Sequence, residues 1–445
     1  MNLTAEPWIN VGILSGTKIN FELYGEFRSF GFRQTFSGPF TAEMSGDRII
    51  CRGSGDSIEV SDEIIFEPSD PSSESFVIKA VKIGVNFHWE REEKQRFNYV
   101  LKLLKNNNEI FVINYLPLEN YLVSVISSEM NAKSSLQLLK CLAVVARSWV
   151  LYQINKPGKN KKVTGMISEE DQIIKWYDRE DHKLFDVCAD DHCQRFQGIS
   201  KVTTEKARLA IEQTFGIVLT NRGDICDARF SKACGGITEA FKNVWQPDDP
   251  EYLQPVIDYK YEPENFNTDL RIEMNAVKWI RGTPPAYCNT DNPKILTQIL
   301  LDYDQETKDF FRWKVEYSQD ELSEIIRTKS GIDFGKIKDL LPLERGYSGR
   351  IIRLKIIGTK RTMIVGKELE IRRWLSHTHL YSSAFFTERF YIRHEIPGKF
   401  VIHGAGWGHG VGLCQIGAAV MADKGHLFDE ILMHYYKNSS LKKIY

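Results

Sequence analysis

The chain has 445 residues and a formal net charge of −1, with 42% hydrophobic and 26% charged residues. Its length predicts roughly two or three subdomains rather than one core, and the neutral balance gives no support for a nucleic-acid or anionic-membrane partner. No apolar run is long enough for a membrane span, and the opening MNLTAEPWINVGILSG lacks the basic start and continuous apolar core of a secretory signal.

Residues 8 to about 115 read as β-rich: WINVGIL, KINFELYG, DRIICRG, SIEVSD, FVIKAVKIGV and EIFVINYL are short β-branched and aromatic runs divided by Gly, Ser, Asp and Asn. PLENYLVSVISSEM, 117–130, then predicts a helix opened by Pro117, with Glu119 near the positive end of its dipole. Leu118, Leu122, Val125 and Glu129 fall on one stripe of it. A glutamate continuing an apolar stripe is unusual, because burial disfavours its charged form and raises its pKa toward the range of a general acid. The plainer alternative is that the helix has ended and Glu129 lies in a solvated turn.

A second helix follows, capped by Ser134 or Ser135 and apolar almost all round from Leu136 to Tyr152, as expected of a buried helix. Arg147 shares a stripe with Leu136, Leu139, Ala143 and Val150, and a buried guanidinium needs a partner. The two helices predict a hairpin displaying a charged pair at a cleft, or else a structural ion pair. KPGKNKK, 156–162, reads as a surface connection.

DHKLFDVCADDHCQRFQG holds His182, Cys188, His192 and Cys193, the side chains zinc prefers, at intervals of six, four and one. These are not zinc-finger spacings, so the reading is divided between a metal site and loop histidines beside packed thiols. Four protein ligands would make a metal site structural, leaving no position for water; a catalytic metal centre would need one open. The remaining cysteines are Cys51, Cys141, Cys226, Cys234, Cys288 and Cys414, eight in all, too sparse for a disulfide framework and silent on compartment.

TTEKARLAIEQTFGIVLT, 203–220, predicts a helix and a strand with Gly216 at the turn. In SKACGGITE two glycines offer unusual backbone angles beside Ser231, Cys234 and Thr238. Residues 258–310 are polar and irregular and look like an insertion. A strand, a helix capped near Ser318, and a strand–turn–strand–helix unit follow. The most specific string is FVIHGAGWGHGVGLCQIGAAVMADKG, where six glycines from Gly404 to Gly417 surround Trp407, His409 and Gln415. It matches neither a Rossmann nor a P-loop pattern. Helices 415–423 and 428–436 close the chain.

Taken together, PLENYLVSVISSEM with LAVVARSWV, FSKACGGITE with Val244-Trp245, ERGYSGRIIRLKIIG, and GWGHGVGLCQIGAAVMADKG with the terminal HYY resemble the SpoIID/LytB family in content and order, over roughly residues 110–437. The chain departs from the pattern at Asn131, where relatives commonly carry proline. The resemblance implies a protein acting on peptidoglycan and, in the sporulation branch, a lytic transglycosylase cleaving between N-acetylmuramic acid and N-acetylglucosamine. It places the catalytic glutamate on Glu129 and the buried arginine on Arg147. Cleft residues fall on Ser231, Thr238, His409 and Gln415, with Trp407 as a wall for a sugar face. It also favours His182, Cys188, His192 and Cys193 as ligands of a structural zinc.

Ordinary glycosidases use two carboxylates; a lytic transglycosylase can use one, since the muramic 6-hydroxyl attacks its own anomeric carbon. The alternative is a LytB-like, non-catalytic glycan binder that stimulates a separate cell-wall amidase. The expected fold is α+β: a β-rich region over 1–110 and a mixed SpoIID-like core over 111–445, its first helices flooring a glycan groove. Such a substrate implies an extracytoplasmic location, at odds with the absence of a recognisable leader in the opening residues.

Overall fold

The computed structural model describes residues 4–53, 55, 57–83, 91–131, 134–156, 165–176, 182–190, 192–202, 204–299, 309–391 and 395–445. Most of the connection predicted at 156–162 and residues 300–308 of the expected insertion lie outside the described residues.

Ten strands between Trp8–Gly16 and Glu109–Pro117 form, with the later Val187–Cys188, one eleven-stranded sheet. Alternation builds it: Lys18–Arg28 buries Ile19, Phe21, Leu23 and Phe27 on one face, and the Phe21, Phe36, Phe40 and Phe66 rings pack together there, 5.5–6.3 Å between centroids. The first strand pairs antiparallel with the last, Trp8 opposite Pro117, so the sheet runs past residue 110. At its edge Val187 and Cys188 pair in parallel with Val11 and Gly12. A Cβ on Gly12 would lie 2.5 Å from the Phe185 ring, so glycine permits that approach.

The sheet delivers the chain into α1, Leu118–Glu129, and α2, Leu136–Asn155. Pro117 precedes α1 with no side-chain cap, and the helix's first free N–H groups are taken by residues far away in sequence: Leu118 N–H by the Pro7 carbonyl (2.9 Å) and Glu119 N–H by the Glu6 carboxylate (2.7 Å). Ser135 caps α2, accepting from the Leu138 N–H (3.3 Å), and the helix is buried along almost its whole circumference. Its sides meet α1, α3 (Glu205–Gln213) and the strand Ile217–Asn221, which pairs with Ser440–Lys443 near the C-terminus. One hydrophobic core therefore runs from the large sheet through these helices to the chain's end.

The expected insertion is more regular than its composition suggests. It carries α4 (Glu273–Arg281) and α5 (Pro293–Ile299), and Ala276, Trp279 and Ile280 are buried at helical spacing, a signal diluted by the surrounding prolines and asparagines. A second core joins Trp313 to Ile402. It is built from the strands Arg312–Ser318, Ile337–Arg345, Ile351–Gly358, Thr362–Gly366, Phe385–Phe390 and Lys399–Ala405, with α6 (Gln319–Ser330) and α7 (Glu368–Trp374). Ser318 caps α6, as the sequence predicts, and Gly331 ends it in the left-handed conformation. The chain closes with α8 (Gln415–Asp423) and α9 (Phe428–Tyr435) back on the first core. The architecture is strand-rich α+β. Among the described residues no helix is long and apolar enough to cross a membrane.

Candidate functional site

Glu129 is the last residue of α1 and is half-buried, between the two positions that the stripe and the turn readings predict. Its Oε1 accepts the backbone N–H of Arg195 at 3.2 Å. The expected charged pair exists, but with the other carboxylate of the helix. Arg147 donates Nε to Glu119 Oε1 (2.8 Å) and Nη2 to Oε2 (2.5 Å), and its Nη1 reaches the Ile217 carbonyl (2.9 Å). Gly216 N–H and the Tyr445 hydroxyl complete the acceptor side of Glu119. Both charges are buried at the opposite end of α1 from Glu129, so this is a core ion pair rather than a pair at a cleft. This is the structural ion pair that the sequence left open beside the cleft pair. Helix geometry fixed which face Arg147 occupies, but not which of two carboxylates ten residues apart it would meet.

His182, Cys188, His192 and Cys193 do converge: one ligand atom from each lies within 4.8 Å of the others. Cys193 Sγ is 3.4 Å from His182 Nε2 and 3.5 Å from His192 Nδ1, and Cys188 Sγ is 3.8 Å from the same His192 nitrogen. These are the edge lengths of a tetrahedron about an ion bonded at about 2.0–2.3 Å, so the donor set fits zinc. The adjacent pair His192–Cys193 can share one site because Cys188 is held on the sheet edge while the chain turns back, with Cys193 N–H on the Asp190 carbonyl (3.0 Å) and Phe196 N–H on the Ala189 carbonyl (3.0 Å). The Cys188 thiol is held far below its ordinary range, chiefly by Cys193 and then by the two imidazoles, with burial opposing. The next residues bind this loop to the helices: Gln194 accepts from the Tyr121 hydroxyl (3.2 Å), and Arg195 reaches Glu129. Arg195 escaped sequence reasoning because it acts through its backbone, which leaves no side-chain signature.

The third group forms where two distant stretches interleave. Phe230 and Ser231 pair in parallel with Leu413 and Cys414; Ala233 and Trp407 exchange both backbone hydrogen bonds (3.1 and 2.8 Å); and Glu239 N–H donates to the Gly410 carbonyl (2.8 Å). Glycine is required for this contact. Gly412 sits at φ 73°, and a Cβ there would lie 2.0 Å from the Arg229 carbonyl oxygen. Trp407 is partly exposed and lies in a ring cluster with Tyr381 (4.2 Å, 34°) and Phe310 (4.9 Å, 39°), aromatics the sequence did not single out. The Ser231 hydroxyl is buried with no partner among the described residues. Gln415, also buried, begins α8.

His409 packs edge-on against Trp245 (5.2 Å, 72°), and burial, with Arg229, Arg350 and Arg372, pushes its imidazole well below the ordinary range. Its Nδ1 accepts the Val411 N–H (3.0 Å), which places the proton of the neutral ring on Nε2. Thr238 departs from expectation. It is buried and its hydroxyl accepts the Val256 N–H (2.7 Å), bracing the loop from inside rather than facing a cleft. One element touches both ends of the candidate site: the carbonyl of Gln298 in α5 accepts from Asn131 N–H (3.0 Å) and Ser134 Oγ (2.7 Å), just after Glu129, and that of Ile299 from Lys232 Nζ (3.4 Å), next to Ser231.

Fold and site define an α+β protein in which the loop carrying a convergent His/Cys set holds a carboxylate at a helix end, and α5 ties that helix end to the stretch that pairs with a glycine-rich, aromatic-bearing string. Residues 106–221, containing that helix and ligand cluster, match the family described as Stage II sporulation protein, and residues 239–412 match a domain of unknown function (DUF8618). The chain is similar to the Amidase enhancer of Bacillus subtilis (strain 168), 27% identical over 72% of this chain, of which it spans 40% of the length. It is also similar to Stage II sporulation protein D of Bacillus amyloliquefaciens, 22% identical over 74% of this chain and 76% of the relative. Residues 106–221 are thus similar to the SpoIID family, and about three-quarters of the chain is similar to these relatives.

Proposed function

We propose that the protein acts on peptidoglycan glycan strands as a lytic transglycosylase, with Glu129 as its acid and base. The observation that carries this reading is the placement of Glu129: a half-buried carboxylate at a helix terminus, oriented by one backbone N–H from a loop that a metal can fix. In the proposed reaction the Glu129 carboxyl protonates the glycosidic oxygen as the C1–O bond breaks. The 6-hydroxyl of the same muramic residue then bonds C1 and returns its proton to Glu129, giving a 1,6-anhydromuramyl end. One carboxylate suffices because the nucleophile belongs to the substrate. The Trp407 cluster would lie along a sugar face, with Ser231 supplying a polar contact within a groove. Zinc on His182, Cys188, His192 and Cys193 would hold the loop and would take no part in bond cleavage. The substrate implies action outside the cytoplasmic membrane.

A second reading is favoured by the relative named Amidase enhancer and by the aromatic platform at Trp407: glycan binding without cleavage, in support of a cell-wall amidase. Mass spectrometry of products from peptide-free glycan strands separates the two. Anhydro-ended fragments from the wild type and none from Glu129→Gln are expected. Reducing-end fragments would overturn the single-carboxylate mechanism. Retained binding without cleavage by either protein would replace it with the enhancer.

A further inference from the structure

We propose that Cys234, Asp258, Cys288 and Cys414 form a second, wholly enclosed metal site that takes a thiophilic divalent ion, zinc by the chemistry of the set. The four residues come from four separate stretches of chain, all are buried, and their ligand atoms lie within 4.8 Å of one another. The Sγ atoms of Cys234 and Cys288 are 3.7 Å apart. Two sulfurs on a tetrahedral zinc, each bonded at about 2.3 Å, stand about 3.8 Å apart, whereas a disulfide needs about 2.0 Å.

The surroundings are those of sulfur ligands. Backbone N–H groups donate to the sulfurs, Gly236 to Cys234 (3.4 Å) and Cys234 to Cys414 (3.3 Å). Positive φ at Gly235 (84°) and Gly236 (111°) curls the chain around the first of them. Cys414 stands at the N-cap of α8, whose positive end favours a thiolate. The Asp258 carboxylate is oriented by Cys288 N–H (2.8 Å) and the Tyr435 hydroxyl (2.5 Å), and each oxygen keeps a lone pair for an ion. Only glycine at 417 lets α8 approach, since a Cβ there would lie 2.3 Å from Asp258 Oδ1.

Charge points the same way. Three thiolates and a carboxylate leave a divalent complex net anionic, and guanidinium groups adjoin it. Arg312 donates to the carbonyls of Gly235, Trp279, Gly282 and Phe311, and Arg350 to that of Cys234. A desolvated guanidinium bonded to carbonyls still calls for a nearby anion. The site would fasten the 234–236 turn, the segments at 258 and 288 and the start of α8, behind the strand pair that carries Ser231. It stands independently of the glycan reading.

The test uses the full-length chain carrying Cys188→Ser and Cys193→Ser, which disables the first cluster and leaves the second intact. Metal analysis is expected to find one zinc per chain. Exchange to cobalt is expected to give a tetrahedral spectrum with thiolate charge-transfer absorption, more intense per metal than that of the two-thiolate first site measured in a Cys288→Ser chain. Adding Cys288→Ser to the test protein is expected to abolish the remaining zinc; if that variant fails to fold, the test protein's own one-to-one metal content and tetrahedral thiolate–cobalt spectrum decide alone. A metal-free protein with Cys234, Cys288 and Cys414 all reduced would overturn the proposal, and so would peptide masses showing a Cys234–Cys288 disulfide.

Discussion

The buried pair of Arg147 and Glu119 shows what a single charged side chain contributes here. Removing the guanidinium alone strands a buried carboxylate, which typically costs about 3–5 kcal/mol, whereas replacing both partners by apolar residues of similar volume is often near neutral. Arg147→Ala should therefore lower the urea unfolding midpoint markedly, and Arg147→Met with Glu119→Leu should recover much of the loss. An unchanged midpoint in the single variant would remove the ion pair from the core's account. The histidines make a second residue-scale prediction. Burial pushes His379 and His434 down to about 4, against an ordinary value of about 6.5 in the unfolded chain. From about pH 6.5 down to about pH 4 the unfolded chain binds protons that the folded chain refuses, so stability falls as pH falls through this window and these groups add no further loss below it. Urea midpoints at pH 7.5 and 5 should show the drop, with a shallower one in His379→Gln.

At the scale of elements, the described residues of 182–197 combine little regular structure with a convergent set of metal-binding side chains. Their backbone follows an irregular course from the sheet edge to Glu129, and four potential ligands converge where an apolar core would otherwise be needed. Chelation is expected to raise amide hydrogen exchange across this loop, Arg195 included, while α2 stays protected; equal exchange with and without chelator would mean that packing alone holds it. The glycine-rich string is the converse case, an element fixed by backbone contact. Gly412→Ala combines a left-handed φ with a Cβ 2.0 Å from a carbonyl oxygen. Strain of this kind costs about 1–3 kcal/mol or more, which should appear as a lower melting temperature. Much of this scale was readable in the sequence. The α1 stripe, the apolar girdle of α2, the Ser318 cap and the helix over 415–423 all follow from local periodicity and capping chemistry. The helices inside 258–299 did not stand out, because polar loop residues around them mask a short apolar spacing.

Over the whole molecule, the two largest hydrophobic clusters among the described residues are separate from one another. Leu354 is fully buried in the second, and Leu354→Ala there should cost about 2–5 kcal/mol. If the cores unfold as separate units, hydrogen exchange will accelerate through Ile351–Gly358 and leave the α2 amides unchanged. Uniform acceleration would show one cooperative unit.

The sequence alone indicated the α+β class, most of the helices and strands and the family resemblance, since each rests on local spacing or on a contiguous string, and it left the His/Cys set divided between a metal site and packed thiols. It could not determine partners. Whether Arg147 meets Glu119 or Glu129, that Arg195 offers its N–H to Glu129, that Thr238 faces inward, and that Cys234, Asp258, Cys288 and Cys414 share one buried centre were decided by the tertiary structure. Such contacts join residues tens to hundreds of positions apart, and their energy is gained only once the intervening chain has been packed.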